Sequence, residues 1–197
     1  MSPNEWEECF LLHQRSYGDT SIIAEIFTRK SGKMSVIARG AKKPKSKFFG
    51  YLVPFSKLQI TYSGRSELKT LTNIDREIFL LDNSLSKKSY SLLYINELMI
   101  KLLPKDAANE DLFNLYSKFI EDSLKLSEME FLLRNFELDL LDMLGYGINF
   151  QTDIDAHEPI DPSIDYIFIA ERGFQASSKN PDFSGQDIIN IRNRNFT

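Results

Sequence analysis

Apolar and polar positions alternate in short runs over the first 80 residues, with turn formers between the runs. Phe10-Leu-Leu-His-Gln-Arg15 is followed by Tyr17-Gly-Asp-Thr20, a turn composition. Ser21-Ile-Ile-Ala-Glu-Ile-Phe-Thr28 is rich in β-branched and aromatic residues and runs into Lys30-Ser-Gly-Lys33, where Gly32 suits a hairpin turn that needs positive φ. Met34-Ser-Val-Ile-Ala38 is the returning strand. Residues 40–50, Gly-Ala-Lys-Lys-Pro-Lys-Ser-Lys-Phe-Phe-Gly, carry no core-forming pattern and predict an exposed loop. Phe55 to Tyr62 alternates again, with Leu58 one step out of phase; Ser63-Gly-Arg-Ser66 is a turn, and Leu68 to Ile74 closes the series. Five short strands with one long basic connection fit a five-stranded OB-fold β-barrel better than a seven-stranded sandwich.

After Asp82 the period changes. Leu92, Ile95, Leu98, Met99 and Leu102 make one helical face that Pro104 terminates. Leu112, Leu115, Tyr116, Phe119 and Ile120 repeat the pattern after a cap at Asn109, with Glu110 and Asp111 in the first turn. Leu133, Phe136, Leu140 and Leu144 predict a third helix, ending at Gly145 in a left-handed cap. Residues 151–165 hold five acids and two prolines and read as a solvated acidic loop. Tyr166 to Ala170 is a short strand paired with Gly173 to Ala176. The expected class is α+β: a barrel over 1–80, then an α-helical domain over 81–197 containing the acidic loop.

Composition narrows the function. The 197 residues are 42% hydrophobic and 12% aromatic, enough to bury a core, which excludes wholesale disorder. One cysteine excludes a disulfide framework and a multi-cysteine zinc site. No apolar run approaches the roughly 18 residues of a membrane span, and the N-terminus is acidic where a targeting peptide would be basic. A cytoplasmic protein without membrane partners is expected. The net charge of −4 conceals a segregation. Residues 1–80 hold 13 Lys+Arg against 8 Asp+Glu, and residues 81–197 hold 11 against 20. No acid stands between Glu25 and Glu67, a window with ten basic residues, which points to a polyanionic partner.

No catalytic constellation emerges. There is no P-loop, and Gly145-Tyr-Gly147 lacks a third glycine and follows a helix, so it is a cap and turn. His13 reads as a structural or surface residue and Cys9 as a small strand residue, since neither has a nucleophile or base partner. Asp153-Ile-Asp155-Ala-His157 fails the calcium-loop pattern, with Glu158 at the glycine position and Ile164 at the final acid position. No enzyme, metal or cofactor is expected.

The basic loop remains. Lys42, Lys43, Lys45 and Lys47 alternate with Pro44 and Ser46, and Phe48, Phe49 and Tyr51 follow at once. Lysines neutralise phosphates without reading sequence, and neighbouring aromatics can stack on bases. Two readings of Phe48 and Phe49 stand open, a stacking platform or barrel core; Phe27 and Phe55 read as core.

Several spaced motifs resemble the bacterial recombination mediator family RecO: Phe10 to Ser21, Ile26 to Gly32, Ala38-Arg-Gly-Ala-Lys-Lys43, Leu52-Val-Pro-Phe55, Ser63 to Leu71, Tyr94-Ile-Asn-Glu-Leu98 and Leu144-Gly-Tyr-Gly-Ile-Asn-Phe150. Glu171-Arg-Gly-Phe174 looks like the proteobacterial branch. The resemblance implies an OB-fold followed by a helical domain, and a role in DNA repair and homologous recombination. It implies binding of single- and double-stranded DNA, annealing of complementary strands, and loading of recombinase onto strands coated by single-stranded-DNA-binding protein. RecR and the acidic tail of that coating protein are the implied partners, and the location is the cytoplasm, at the nucleoid. By position, Arg39, Lys42, Lys43, Lys45 and Lys47 become DNA contacts, with Arg15, Arg65 and Phe48 as further candidates. Many family members carry a four-cysteine zinc site after the Gly-Tyr-Gly segment; Gln151 to His157 offers no cysteine, so zinc is not expected. Members also continue through further helices with a basic Lys-Ser-Arg segment, so the resemblance implies a C-terminal domain shortened at Thr197. A different class of function, an OB-fold adaptor for protein partners with incidental DNA contact, also fits the sequence.

Overall fold

A computed structural model describes residues 5–78, 85–125 and 128–196. The chain divides into two compact units, Met1–Met129 and Glu130–Thr197.

The first unit is built on a closed barrel of β1 (Glu7–Tyr17), β2 (Ser21–Thr28), β3 (Gly32–Ala38), β4 (Lys57–Ser63) and β5 (Leu68–Ile78) in the spatial order β1-β2-β3-β5-β4. All pairs are antiparallel except β3 with β5, where Ser35 faces Leu68 and Ile37 faces Thr70. This is the OB-fold arrangement expected from the strand count. Alternate residues fill the interior: Cys9 and Leu11 on β1, Ala24 and Ile26 on β2, Met34, Val36 and Ala38 on β3, Leu58 and Ile60 on β4. Burial, with the nearby Glu7 charge, pushes the Cys9 thiol well above its ordinary range, so Cys9 is an inert core residue.

The barrel is buried on its outside as well. Phe10 and Phe27 face outward and meet Phe113 and Tyr116 of α2 (Glu110–Lys125), with ring centroids 5.0–6.5 Å apart. Between barrel and helices, Asn96 of α1 (Leu85–Leu102) donates to the Leu12 carbonyl at 2.8 Å and accepts from the Tyr116 hydroxyl at 2.5 Å. Residues of both parities are therefore buried on β2, which explains its nearly continuous apolar run. At the start of α2 the Asn109 side chain accepts from Leu112 N–H at 2.9 Å, the expected cap.

The β2–β3 turn leads into Gly32, which has φ +77°. The α1–α2 connection runs along this end of β3, with Asp106 N–H donating to the Lys33 carbonyl at 2.9 Å. A Cβ on Gly32 would stand 2.1 Å from the Ala107 carbonyl oxygen.

In the second unit α3 (Met129–Met143) ends as the sequence predicts. Gly145 has φ +82°, its N–H donates to Asp142 O at 3.1 Å, and Tyr146 N–H donates to Leu141 O at 2.9 Å, a Schellman pair. A small sheet follows, with β6 (Asp165–Ile169) between β7 (Gly173–Ala176) and β8 (Phe183–Ser184). The β6–β7 pairing matches the sequence reading. The closing helix α4 (Gly185–Arg192) was not evident from periodicity; its signal is a capping box between Ser184 and Asp187. Ile160, Tyr166, Phe174 and Ile188 form the core of this unit.

The expectation of a solvated acidic loop at 151–165 needs correction at Asp153, which is 5% exposed. One of its carboxylate oxygens accepts from Asp155 N–H at 2.8 Å and Ala156 N–H at 2.7 Å, and the other from Ala176 N–H at 2.6 Å, tying the loop to β7. Burial opposes the charge, but the three backbone donors outweigh it and hold the carboxyl below its ordinary range. A depressed folded-state value adds stability that is complete above the unfolded value near 3.9 and is lost as pH falls through the lower folded value. Asp153→Asn sets an amide N–H against one of these donors and is expected to cost about 2 kcal/mol at neutral pH. The gap to the unsubstituted protein should narrow below about pH 4, as followed by near-ultraviolet circular dichroism during acid titration.

Candidate nucleic-acid interface

The basic segment between β3 and β4 is a chain of tight turns. Ala41, Lys43, Ser46, Phe49 and Tyr51 each donate their N–H to the carbonyl three residues or so earlier, at 2.9–3.4 Å. Ala41, Phe48 and Leu52 enter the barrel core. The prediction of a loop that contributes nothing to the core is therefore corrected: three apolar anchors stitch the segment onto the barrel. The lysines stand between the anchors. Lys43, Lys45 and Lys47 are exposed and Lys42 is half-buried.

The same anchors decide between the two readings of the adjacent aromatics. Phe48 is 7% exposed, with the Lys47 ammonium 5.4 Å from its ring centroid. It belongs to the core and has no free face for a base, so its place among the DNA-contact candidates is withdrawn. Phe49 is 51% exposed. Phe27 and Phe55 are buried, as the sequence reading expects, but Phe27 packs outside the barrel against Phe113 and Tyr116 rather than within it.

The segment is bound to the β1–β2 turn. Lys42 N–H donates to Thr20 O at 2.9 Å, the Lys42 ammonium donates to Gly18 O at 3.1 Å, and Gly40 N–H donates to the Ser21 hydroxyl at 3.4 Å. Arg15, three residues before that turn, pairs across the ladder with Ile23 and is exposed. Arg15, Arg39, Lys42 and Lys43 thus gather at one end of the barrel. Lys47 reaches Asn73 of β5, its ammonium donating at 2.9 Å. Tyr17, the last residue of β1, is 51% exposed at this same end. Sequence reading took it only as part of a turn; its alternation with His13 and Arg15 was the available signal.

Arg65 is not part of this group. It lies in the β4–β5 turn, beside the β2–β3 turn, at the other end of β3 from Arg39. Seven residues of strand, at about 3.3 Å each, put roughly 20 Å between those ends.

Ion pairing separates the cations of the acid-free window into two sets. Arg29 pairs with Glu8 at 2.7 Å and Glu110 at 3.0 Å, Lys30 with Glu5 at 2.5 Å, and Lys57 with Glu8 at 3.6 Å. Lys33 is buried and donates to the Ile100 carbonyl at the C-terminus of α1. Arg39, Lys42, Lys43, Lys45, Lys47 and Arg65, together with Arg15 outside the window, make no ion pair with any described residue. Asp19 is the acid carried by the β1–β2 turn itself. A surface whose cations are unpaired among the described residues, with exposed aromatics beside them, can neutralise a phosphate chain and release the counterions condensed on it.

His13 is exposed on β1. Among the described residues no three His, Cys, Asp or Glu side chains gather to hold a metal ion, and no helix is long and apolar enough to cross a membrane.

Comparison with known proteins agrees with this architecture. Residues 1–77 match the family model described as Recombination protein O N terminal, and residues 86–185 match Recombination protein O C terminal. Proteins named DNA repair protein RecO are similar along nearly the whole chain. That of Haemophilus influenzae (strain 86-028NP) is 35% identical over 196 residues, covering 98% of this chain and 83% of the relative. That of Actinobacillus pleuropneumoniae serotype 5b (strain L20) is 33% identical over 195 residues, covering 98% and 81%. That of Pasteurella multocida (strain Pm70) is 34% identical over 194 residues, covering 97% and 80%. With an OB-type barrel, both family halves in order and this level of identity, the chain belongs to the RecO family of DNA repair proteins.

Proposed function

We propose that the protein acts in recombinational repair without catalysis, by holding DNA through the phosphate chain at one end of its barrel. Arg39, Lys42, Lys43, Lys45 and Lys47 are the proposed contacts, with Arg15 beside them and Tyr17 and Phe49 as sequence-tolerant stacking surfaces. The observation that carries this reading is the division of the cations: Arg29, Lys30 and Lys57 are ion-paired and Lys33 is buried, whereas the loop cations have no carboxylate partner among the described residues, and Arg65, also without one, stands apart in the β4–β5 turn. The contacts to phosphates tolerate any sequence and either strand state, so single- and double-stranded DNA both qualify, with stacking added only where bases are unpaired. Charge neutralisation at the same surface lets two complementary strands approach each other, which is the physical requirement of annealing.

Family membership adds the finer expectations: loading of recombinase onto strands coated by single-stranded-DNA-binding protein, with RecR and the acidic tail of that coating protein as partners, at the nucleoid in the cytoplasm. These roles call for surfaces other than the lysine loop.

The test is titration of a labelled single strand by fluorescence anisotropy. Lys42→Ala/Lys43→Ala should weaken binding by about tenfold at physiological salt and flatten the salt dependence, by roughly 0.7 in slope for each lost phosphate contact. Both side chains lie outside the core, so the thermal transition should be unchanged. Equal affinity and equal slope in the two proteins would remove the loop from the interface.

A further inference from the structure

The end of the barrel away from the lysine loop holds an open groove of about 830 Å³, bounded by the N-terminal residues before β1, the β2–β3 turn and the β4–β5 turn. Trp6, Arg65, Lys69 and Tyr62 are among its lining residues. We propose that this groove is a second, separate nucleic-acid site that takes one unpaired nucleotide, its base against the Trp6 indole and its phosphate on Arg65 and Lys69. The inference rests on the DNA-binding reading above and extends it to a place the lysine loop does not reach.

The chemistry of the walls selects this ligand. Six charged residues line the groove, three acids and three bases, so it is no track for a polyanion. The acids are largely committed internally. Glu7 is buried, and its two oxygens accept from Lys30 N–H at 2.9 Å, the Ser31 hydroxyl at 3.2 Å and the Tyr62 hydroxyl at 3.0 Å. Glu5 is held by the Lys30 ammonium at 2.5 Å. Arg65 and Lys69 make no ion pair with a described residue, and Asp106 is the lining carboxylate left against them. Two cations facing one such carboxylate suit a single phosphate. Trp6 lines the groove and is 48% exposed, which leaves indole surface for stacking, and every base can supply the partner. The hydrogen-bonded Glu7–Ser31–Tyr62 floor joins β1, the β2–β3 turn and β4, and so fixes the groove's shape before any ligand arrives.

With a phosphate track at one end of the barrel and a nucleotide groove roughly 20 Å away, one molecule can touch two strands, or two places on one strand.

Trp6 is the only tryptophan in the chain, so its emission reports on this groove alone. A short oligothymidylate is titrated while Trp6 emission and the anisotropy of a labelled copy are both followed. The proposal expects quenching of Trp6 that survives Lys42→Ala/Lys43→Ala. It expects Arg65→Ala/Lys69→Ala to weaken the quenching at least tenfold while binding of a long strand through the loop persists. Because the groove is neutral overall, quenching should depend on salt with a slope near one phosphate. Anisotropy showing a saturated complex with Trp6 emission unchanged, or quenching indifferent to Arg65→Ala/Lys69→Ala, overturns the groove and leaves the loop standing. No anisotropy change with either strand overturns both readings. Trp6→Ala checks the stacking directly: short-strand affinity should fall about tenfold, and an unchanged value contradicts it.

Discussion

Replacing Gly32 with alanine is expected to lower the stability of the first unit by about 3 kcal/mol, a fall of roughly 10 °C in its thermal midpoint. Two independent effects meet at this position. The backbone lies at φ +77°, where an L side chain costs about 1–2 kcal/mol. The added methyl would also stand 2.1 Å from the Ala107 carbonyl oxygen, so the α1–α2 connection must move away from β3. That movement strains the hydrogen bond from Asp106 N–H to the Lys33 carbonyl and the short contact of the Lys33 ammonium with Ile100 O. Gly50→Ala separates the two effects. Gly50 has φ +74° and nothing within 4 Å of a built Cβ, so its substitution carries the backbone cost alone, about 1 kcal/mol. Thermal unfolding of the two variants by circular dichroism measures the difference. Equal midpoints would mean that the α1–α2 connection does not press on β3.

Gly32 also marks where sequence reading reaches its limit. Its conformational role was legible, because a glycine between two strand-like runs signals a turn with positive φ. Its close approach to Ala107, 75 residues away in the chain, was not, because nothing local encodes it. The same division holds elsewhere. The five-stranded barrel followed from five short runs and one long connection, and the caps at Asn109 and Gly145 followed from residue type. The parity of β2 was ambiguous because Ile26 fills the barrel while its neighbour Phe27 meets the helix ring cluster, so periodicity had two cores to serve. The 40–50 segment showed no core pattern because its anchors, Ala41 and Phe48, stand apart with only lysine, proline and serine residues between them; they enter the barrel core through successive turns. For the site, the acid-free window identified the cations, but their sorting into paired and unpaired sets depended on Glu5, Glu8 and Glu110, which lie outside that window. Asp153 looked like one acid among five, and only its three backbone donors distinguish it.

Removing the whole lysine series, Lys42→Ala/Lys43→Ala/Lys45→Ala/Lys47→Ala, is expected to have the largest functional effect, a loss of about a hundredfold in affinity for single-stranded DNA at physiological salt. Each of these side chains is at least partly solvated and none is held by a carboxylate among the described residues, so each can give its full charge to a phosphate. Binding releases the counterions condensed on the strand, and the number released sets the slope of log affinity against log salt. Four contacts at about 0.7 each predict a slope shallower by nearly 3. Folding should survive, because the core anchors Ala41, Phe48 and Leu52 are untouched. The bond lost in the loop is Lys47 to Asn73, together with the Lys42 contact to Gly18 O. A polyanion other than DNA would show the same sign of effect, so comparison with a protein that has lost positive charge elsewhere is the sharper control. Lys57 and Lys101 serve for this, since Lys57 reaches Glu8 at 3.6 Å and Lys101 pairs with Glu97 at 2.7 Å.

The decisive measurement is the salt dependence of single-strand affinity for three proteins: unsubstituted, the four-lysine loop variant, and Lys57→Ala/Lys101→Ala. A slope that falls by nearly 3 in the loop variant and stays close to the unsubstituted value in the control places the phosphate chain on residues 42–47. Parallel lines for all three, with similar affinities, would contradict that placement and move the interface elsewhere on the molecule.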